Sequence, residues 1–394
     1  MNYDVSIIGG GLAGMVAAVR LAQLNKKCIL VDAGLPEAKG KYGGFAKFSG
    51  AKFSLPPAGM GLLNVIAHKD RLWDTIVSIS NLLDLNFTSA FESLDTDIAN
   101  IHLRSYKSLI LTPSEIDQLI ENLTKTLNRL EVPIFKGTCK AVSSQNEIIK
   151  IDISSHNKTH SILSNALFYA GGRLGEEALQ QLNLKPTNYK GLDVGARFEF
   201  SLFDGLKGLR KNGPDAKIIK GNCRTFCLNV PGKIFRYPFE TISIPGGVVA
   251  DSDEINSNFG ILYRTIEKTQ LLEKIRSIGK NMPLSDLEAP FNAQGSVFGD
   301  AEPLARKLYG CQIVDNLIEF GDFLSKKKLV NWNVEHFVHL PLIDWHWNTY
   351  STQTSFKTTQ KGVYCIGDSS GHARGLLQAA ISGWIAAEEY SNES

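Results

Sequence analysis

The chain has 394 residues, 43% hydrophobic and 21% charged, enough to build a sizeable core and, at this length, two domains. A net charge of +2 gives no general attraction to nucleic acid or anionic lipid, and no apolar run is long enough to span a bilayer. The six cysteines are scattered without a CxxC…CxxC spacing, which argues against zinc.

The chain opens directly on fold-forming sequence, with no charged leader or cleavage site, and a cytoplasmic location is the expectation. Residues 5–8 are an apolar run of buried-strand character. They break into Gly9-Gly10-Gly11-Leu12-Ala13-Gly14 and continue as a helix of small residues. Gly9 suits the tight turn, Gly11 lets backbone N–H groups approach a pyrophosphate, and Gly14 lets the helix lie close to the strand. The phosphate would sit at a helix N-terminus, where unpaired N–H groups and the macrodipole favour an anion. A second strand, residues 28–31, delivers Asp32 at the offset where a carboxylate accepts hydrogen bonds from a ribose diol. The whole strand-turn-helix-strand unit predicts dinucleotide binding.

Residues 34–57 are rich in Gly and Lys, and suggest backbone passing close to a ligand, with Gly43 and Gly44 on the far side of the pyrophosphate. Residues 62–111 mix helical periodicity around Leu83 with charged connecting sequence. Pro113-Ser114-Glu115 opens an amphipathic helix carrying Ile116, Leu119, Ile120, Leu123, Leu127 and Leu130 at helical spacing. A strand at 132–135 follows. Two further strand-like runs, 140–142 and 148–153, predict a hairpin or small meander laid over the dinucleotide domain. Residues 166–170 read as a buried strand ending in Gly171 and Gly172.

From about 185 to 355 the texture changes to aromatic and β-branched runs (198–202, 234–237, 242–244 and 260–263), which predict a mostly antiparallel sheet. Helices are expected at 266–278 and 301–324. Lys326-Lys327-Lys328 reads as a solvated helix end or loop. The chain then returns to the first domain through a buried strand at 362–366, Gly367-Asp368, a polar turn at 369–374, and a helix opening at Gly375. That helix presents a second N-terminus to the same ligand. The expected architecture is α/β: a three-layer Rossmann-like domain with a parallel sheet, formed by 1–184 and 356–394. An inserted, mainly antiparallel β plus helix domain, 185–355, would cover the ligand.

An N-terminal GxGxxG with a distal acid, combined with a C-terminal strand-GD-helix, resembles the FAD-binding domain of the glutathione reductase structural superfamily. The resemblance implies FAD as cofactor. Asp32 would hold the adenosine ribose, and Asp368 the ribityl or pyrophosphate region. The helix at Gly375 would point at the N1/C2=O edge of the flavin. Gly9, Gly11, Leu12, Ala13, Gly14, Ala33, Gly43, Gly44, Cys139, Ala170, Gly171, Gly367, Leu376, Leu377 and Gln378 complete the expected FAD-binding set. More narrowly, the chain is similar to the FAD-dependent dehydrogenases, or NAD(P)/FAD-dependent oxidoreductases. The likeness rests on Gly43-Gly44 with Phe48-Ser49 and Lys52, Gly172-Arg173-Leu174-Gly175, the run from Asp193 to Glu199, Arg224-Thr225-Phe226-Cys227, and Gly367-Asp368 through Arg374-Gly375 to Ala380. That group commonly carries a second cysteine two positions beyond the RTFC motif; here the position is Asn229. Cys223 and Cys227 could still approach each other if the backbone between them turns.

For such a protein the flavin supplies redox chemistry, and protein groups supply orientation, charge and a proton-transfer group. Five residues are candidates for that role. Lys52 could face the flavin N5 region or be a surface lysine. Arg374 could offset charge on reduced flavin or clamp a substrate carboxylate. His372 could act as acid or base, or be only hydrogen-bonded. Arg224 and Cys227 would belong to the opposite wall, Cys227 as nucleophile, redox partner or inert thiol. Arg173, Arg197 and Glu199 could be a structural ion pair or substrate ligands. His336, His339 and His346 sit among aromatic neighbours that suggest packing rather than a metal site. A second GxGxxG is absent, so a nicotinamide cofactor, NAD(P)H, would bind only transiently against the flavin. The expected function is hydride transfer between a small-molecule substrate and flavin N5, without nucleic-acid or membrane partners. An RNA-base reductase, or a binding protein resembling the Rab GDP-dissociation inhibitors, is the alternative.

Overall fold

The computed structural model describes residues 2–34, 42–89, 94–98, 101–173, 175, 178–187, 190–201, 204–214, 216–251 and 255–393. Part of the glycine-rich stretch (35–41), Leu174 and Leu202 therefore lie outside the described residues.

Two large sheets divide the work. The first runs edge to edge through Ile134–Lys136, Cys28–Asp32, Asn2–Ile8, Lys158–Tyr169, Ile148–Ser155 and Thr138–Gln145. Its central pairings are parallel: Asn2–Ile8 lies between Cys28–Asp32 and the second half of Lys158–Tyr169. The meander at 138–164 does not lie over this sheet, as expected from the sequence, but extends it in plane. Lys158–Tyr169 pairs antiparallel with Ile148–Ser155 over its first half. Val363–Cys365 takes over that flank at Leu167. A strand of 12 residues is long enough to serve both sets of partners.

Four helices cover one face of the first sheet: Leu12–Gln23, Leu72–Leu83, Pro113–Arg129 and Leu376–Glu393. Thr112 and Glu115 cap the third reciprocally, satisfying N–H groups the helix leaves open. Its buried stripe is Ile116, Leu119, Ile120, Leu123 and Leu127; Leu130, expected on it, is the half-buried C-cap. The first and last helices make the closest approach. A Cβ on Gly383 would stand 2.1 Å from the Ala13 carbonyl oxygen, so only glycine lets the two axes come this near. Arg20 bonds Glu388 at 2.6 Å and stacks over Trp384, fixing their register.

The second sheet is antiparallel, in the order Phe291–Ala293, His336–Asp344, Leu192–Ser201, Asn256–Thr265, Cys223–Asn229, Lys217–Lys220, Ile101–Ser105 and Leu94–Ile98. The last two strands correct the expected boundary, because residues 94–105 fall inside the span assigned to the first domain. They join the second sheet through Ile101–Ser105 against Lys217–Lys220. Their alternation of charged and apolar residues (His102, Leu103, Arg104) is short, and in sequence it resembles connecting loop. Helices Lys268–Asn281, Glu302–Tyr309 and Cys311–Lys326 pack against this sheet around Phe198, Phe259, Leu317 and Trp332. The single helix expected at 301–324 is two, broken at Gly310, whose φ of 89° and ψ of 159° no right-handed helix accommodates. No helix among the described residues is long and apolar enough to cross a membrane.

Candidate functional site: a dinucleotide cleft between two sheets

The site begins where Asn2–Ile8 ends. Gly9, at φ 109°, turns the chain so that a Cβ would stand 2.2 Å from the Ala170 carbonyl oxygen. The helix that follows has no side-chain cap and no acid in its first turn, so its leading N–H groups remain open to an anion. A Cβ on Gly11 would meet nothing within 4 Å; it would project into open space at that helix end. Gly14 serves packing instead, since a Cβ there would lie 1.9 Å from the Gly9 carbonyl oxygen. Gly43 closes the far side, donating its N–H to the Gly10 carbonyl at 2.8 Å, and Gly44 packs on Gly11.

Asp32 stands at the tip of its strand. Its carboxylate accepts from Gly10 N at 2.5 Å and Gly34 N at 2.7 Å, which anchors the turn and orients the remaining lone pairs. The C-terminal segment reaches the same cavity. Gly367 donates its N–H to Ser382 Oγ at 2.9 Å, and Asp368 follows it. Asp368 meets Arg173 Nε at 3.0 Å, and its carbonyl accepts from Trp347 Nε1 at 3.2 Å. Gly375, at φ 118°, starts the last helix, and Gln378 in its first turn bonds the carbonyls of Ser54 and Ala58.

These elements enclose one cavity of about 1010 Å³. Most of the FAD-binding set lines it, from Gly9, Leu12 and Ala13 through Ala33, Cys139, Ala170 and Gly171 to Leu376 and Gln378. Gly14 and Leu377 do not; both are buried in packing. Lys52, Arg224, Cys227 and Arg374 share the cavity wall, but His372 does not. Its Nδ1 pairs with the Gly61 carbonyl at 3.1 Å, and burial lowers its pKa.

The wall from the second sheet is an ion network. Asp193, fully buried, binds Arg224 at 2.6 Å and Arg264 at 2.8 Å. Asp344 binds Arg374 at 2.6 Å and Arg224 at 3.0 Å. Burial would raise the Asp344 carboxyl, but Arg374, Arg224 and Arg173 overcome it and hold the pKa well below the usual carboxylate range. Arg374 also lies over Trp345 at 4.9 Å, and Arg173 over Trp347 at 4.8 Å. Lys52 donates to the Leu228 carbonyl at 2.5 Å, bridging the two halves. Sequence reasoning missed Arg264, Trp345, Arg104, Tyr106 and Lys217 on this wall, and Asp344 buried behind it. Only strand register, which brings residues from distant segments onto one face, could have found them.

Other sequence candidates separate. The buried Arg197 directs its Nη1 to amide oxygens, Asn258 Oδ1 at 2.6 Å and the Cys227 carbonyl at 3.3 Å. Glu199 instead pairs with His339 at 3.0 Å. His336 bonds the Val334 and Val297 carbonyls, and His346 lies among Tyr237, Phe239 and Trp347. Cys223 and Cys227 occupy one extended strand, Cys223–Asn229. Three paired residues carry the chain about 10 Å from Cys223 before the bulge, beyond the reach of a disulfide. Burial pushes the Cys223 thiol up to about 12.

The donor set fits FAD. An uncapped helix end with an open Gly11, a carboxylate at the ribose offset and a second helix end at Gly375 all face one cavity. Comparison with known proteins agrees. Residues 4–52 match the family described as FAD binding domain. A component of the anaerobic glycerol-3-phosphate dehydrogenase from Pectobacterium carotovorum is 59% identical over 34 residues, a match spanning 9% of this chain and 8% of that one. Among solved structures, a geranylgeranyl bacteriochlorophyll reductase-like protein from Thermoplasma acidophilum superposes with a TM-score of 0.50 at 14% identity, covering 99% of this chain and 78% of that chain. A flavoprotein/dehydrogenase from Cytophaga hutchinsonii gives 0.49 at 12%, covering 100% and 78%. The chain has the Rossmann-like fold of the FAD-binding flavoproteins, and FAD is its cofactor.

Proposed function

We propose that this flavoprotein is an FAD-dependent oxidoreductase that exchanges a hydride equivalent with a small molecule in the cleft between its two sheets. The observation that carries the reading is the convergence on one cavity of both glycine-bearing strand ends and the arginine wall of the second sheet. When bound, FAD supplies the two-electron chemistry.

The chain's own groups have separable tasks. N–H groups at the start of Leu12–Gln23 bind the pyrophosphate, and Asp32 binds the adenosine ribose. The start of the last helix, with the positive end of its dipole, favours negative charge on the isoalloxazine. Arg374 and Arg224 are held in place by Asp344, so a substrate meets donors whose ordering cost is already met. Lys52 spans the cleft, and on the opposite wall Trp345 and Phe226 lie under the Arg374 guanidinium. A nicotinamide would reach this cleft only as a passing electron donor.

Anaerobic titration tests the proposal. The purified protein should be yellow, and NADH, NADPH or a member of a metabolite panel should bleach its visible band in a stoichiometric step. A protein that carries flavin but is reduced by none of these would count against oxidoreductase activity on small molecules. The absence of flavin would remove the premise.

A further inference from the structure

Gly232–Phe239 and Ile242–Val249 form a two-stranded antiparallel ribbon that joins neither large sheet. Alternation of its side chains gives it two faces. On one, a Cβ at Gly247 would stand 2.0 Å from Arg197 Nη1, so the ribbon backs directly onto the buried arginine of the second sheet. Arg236, on the same face, donates to the Leu340 carbonyl at 3.1 Å. The opposite face carries Phe235 and Tyr237, and both meet the segment that closes the far side of the dinucleotide cleft. The Phe235 ring stacks on Phe48 with centroids 4.2 Å apart and planes at 16°. Tyr237 meets Phe45 edge-on at 5.1 Å, and Val249 donates its N–H to the Ser49 carbonyl at 3.3 Å.

That segment needs support from outside. Gly43 and Gly44 stand at φ 103° and 53°, and the short 3₁₀-helix Gly44–Phe48 is closed by Ser49 and Gly50. Glycines leave such a turn many conformations, and the one observed keeps Gly44 packed on Gly11. On the side of the first sheet the turn is held by Lys47, which pairs with Asp117. On the other side the ribbon holds it. Gly43, Gly44, Phe45, Ala46 and Ser49 line the cavity, whereas Phe48 and the whole of 232–249 lie behind that lining.

We propose that the ribbon braces the cofactor site, with Phe235 and Tyr237 as positioning residues that hold the turn 43–49 in its FAD-binding shape without touching FAD. The brace rests on FAD as the cofactor and on no assignment of substrate. Ordering that FAD would otherwise impose on the turn is already made by the ribbon, so losing the brace lowers the fraction of protein ready to bind, and the apparent affinity with it. The coupling is reciprocal, and bound FAD tightens the ribbon in turn.

The test adds FAD back to flavin-stripped protein and follows the visible band. Phe235→Ala should weaken FAD binding by about tenfold, the scale of one aromatic pair, and Phe235→Tyr should restore it. Phe48→Ala removes the other ring and should give the same loss, with the double variant losing little more than either single one. It also carries the test if Phe235→Ala fails to fold. Phe239→Ala takes from the same face a ring that packs on His346 at 4.4 Å instead of on the turn, and its FAD affinity should stay within about twofold of wild type. In wild-type protein, amide hydrogen exchange across 232–249 should slow when FAD is added. Full FAD affinity in both Phe235→Ala and Phe48→Ala, an equal loss in Phe239→Ala, or ribbon exchange that FAD leaves unaltered would overturn the brace while leaving the FAD site intact. A stripped wild-type protein that rejects added FAD would instead remove the cofactor, and the brace with it.

Discussion

At the scale of single residues, the two glycines of the first turn make opposite demands that a fingerprint cannot separate. Gly11 faces open cavity in ordinary extended geometry, whereas Gly14 touches the Gly9 carbonyl. Gly11→Val should therefore fold and melt as the flavin-free wild-type protein does, yet purify without flavin. Gly14→Val should lower the unfolding temperature or fail to fold, since its Cβ has no room to relax. Absorbance near 450 nm per mole of protein and a thermal melt, run on both variants, separate the two roles. Full flavin content in Gly11→Val would remove the pyrophosphate from this helix end. The fingerprint and Asp32 were legible because their function is local: a turn, a helix end and one strand tip lie within about thirty residues. Asp344 was not legible, because its meaning depends on Arg224 and Arg374, 120 and 30 positions away.

At the scale of elements, long periodic segments could be read and short ones could not. Pro113–Arg129 carries its opening Pro113-Ser114-Glu115 and most of its stripe in sequence, and the structure keeps both. Leu94–Ile98 and Ile101–Ser105 are five residues each, and only pairing to Lys217–Lys220 reveals which sheet owns them. The helix Lys268–Asn281 shows how such an element is tied to the cleft. Lys268 at its start is buried and donates to the Trp347 carbonyl at 3.0 Å, while Trp347 stacks on Arg173 and bonds Asp368. Burial, with a smaller contribution from Arg276, lowers the Lys268 ammonium to about 8. Between there and the ordinary lysine value near 10.4, the unfolded chain holds a proton that the folded chain has lost. The contribution of Lys268 to stability is thus least favourable at and below neutral pH and rises across that window. Relative to Lys268→Met, the wild-type protein should gain unfolding temperature between pH 7.5 and pH 10. A constant difference would place the ammonium in solvent.

At the scale of the whole molecule, the cleft is held by chain segments that meet nowhere else in sequence. The last helix lies on the first through Gly383 and Ala13, which brings Gly375 and Gly11 to one cavity. Lys52 and Trp347 then tie the second sheet's side to the first. The cavity is lined by Gly11, Lys52 and Gly375 together, so FAD in it would bind the folded arrangement and not the unfolded chain. Linkage then gives a stabilisation of about 2.7 kcal/mol when FAD stands at 100 times its dissociation constant. Stripping the flavin should lower the unfolding temperature, and adding FAD back should restore it in step with the visible absorbance. Gly11→Val should melt at the temperature of the stripped wild-type protein and stay there whatever FAD is added. Should the stripped protein melt as high as the loaded one, the two sheets would be held by their own contacts alone, and the flavin would be a passenger in a cleft that stands without it.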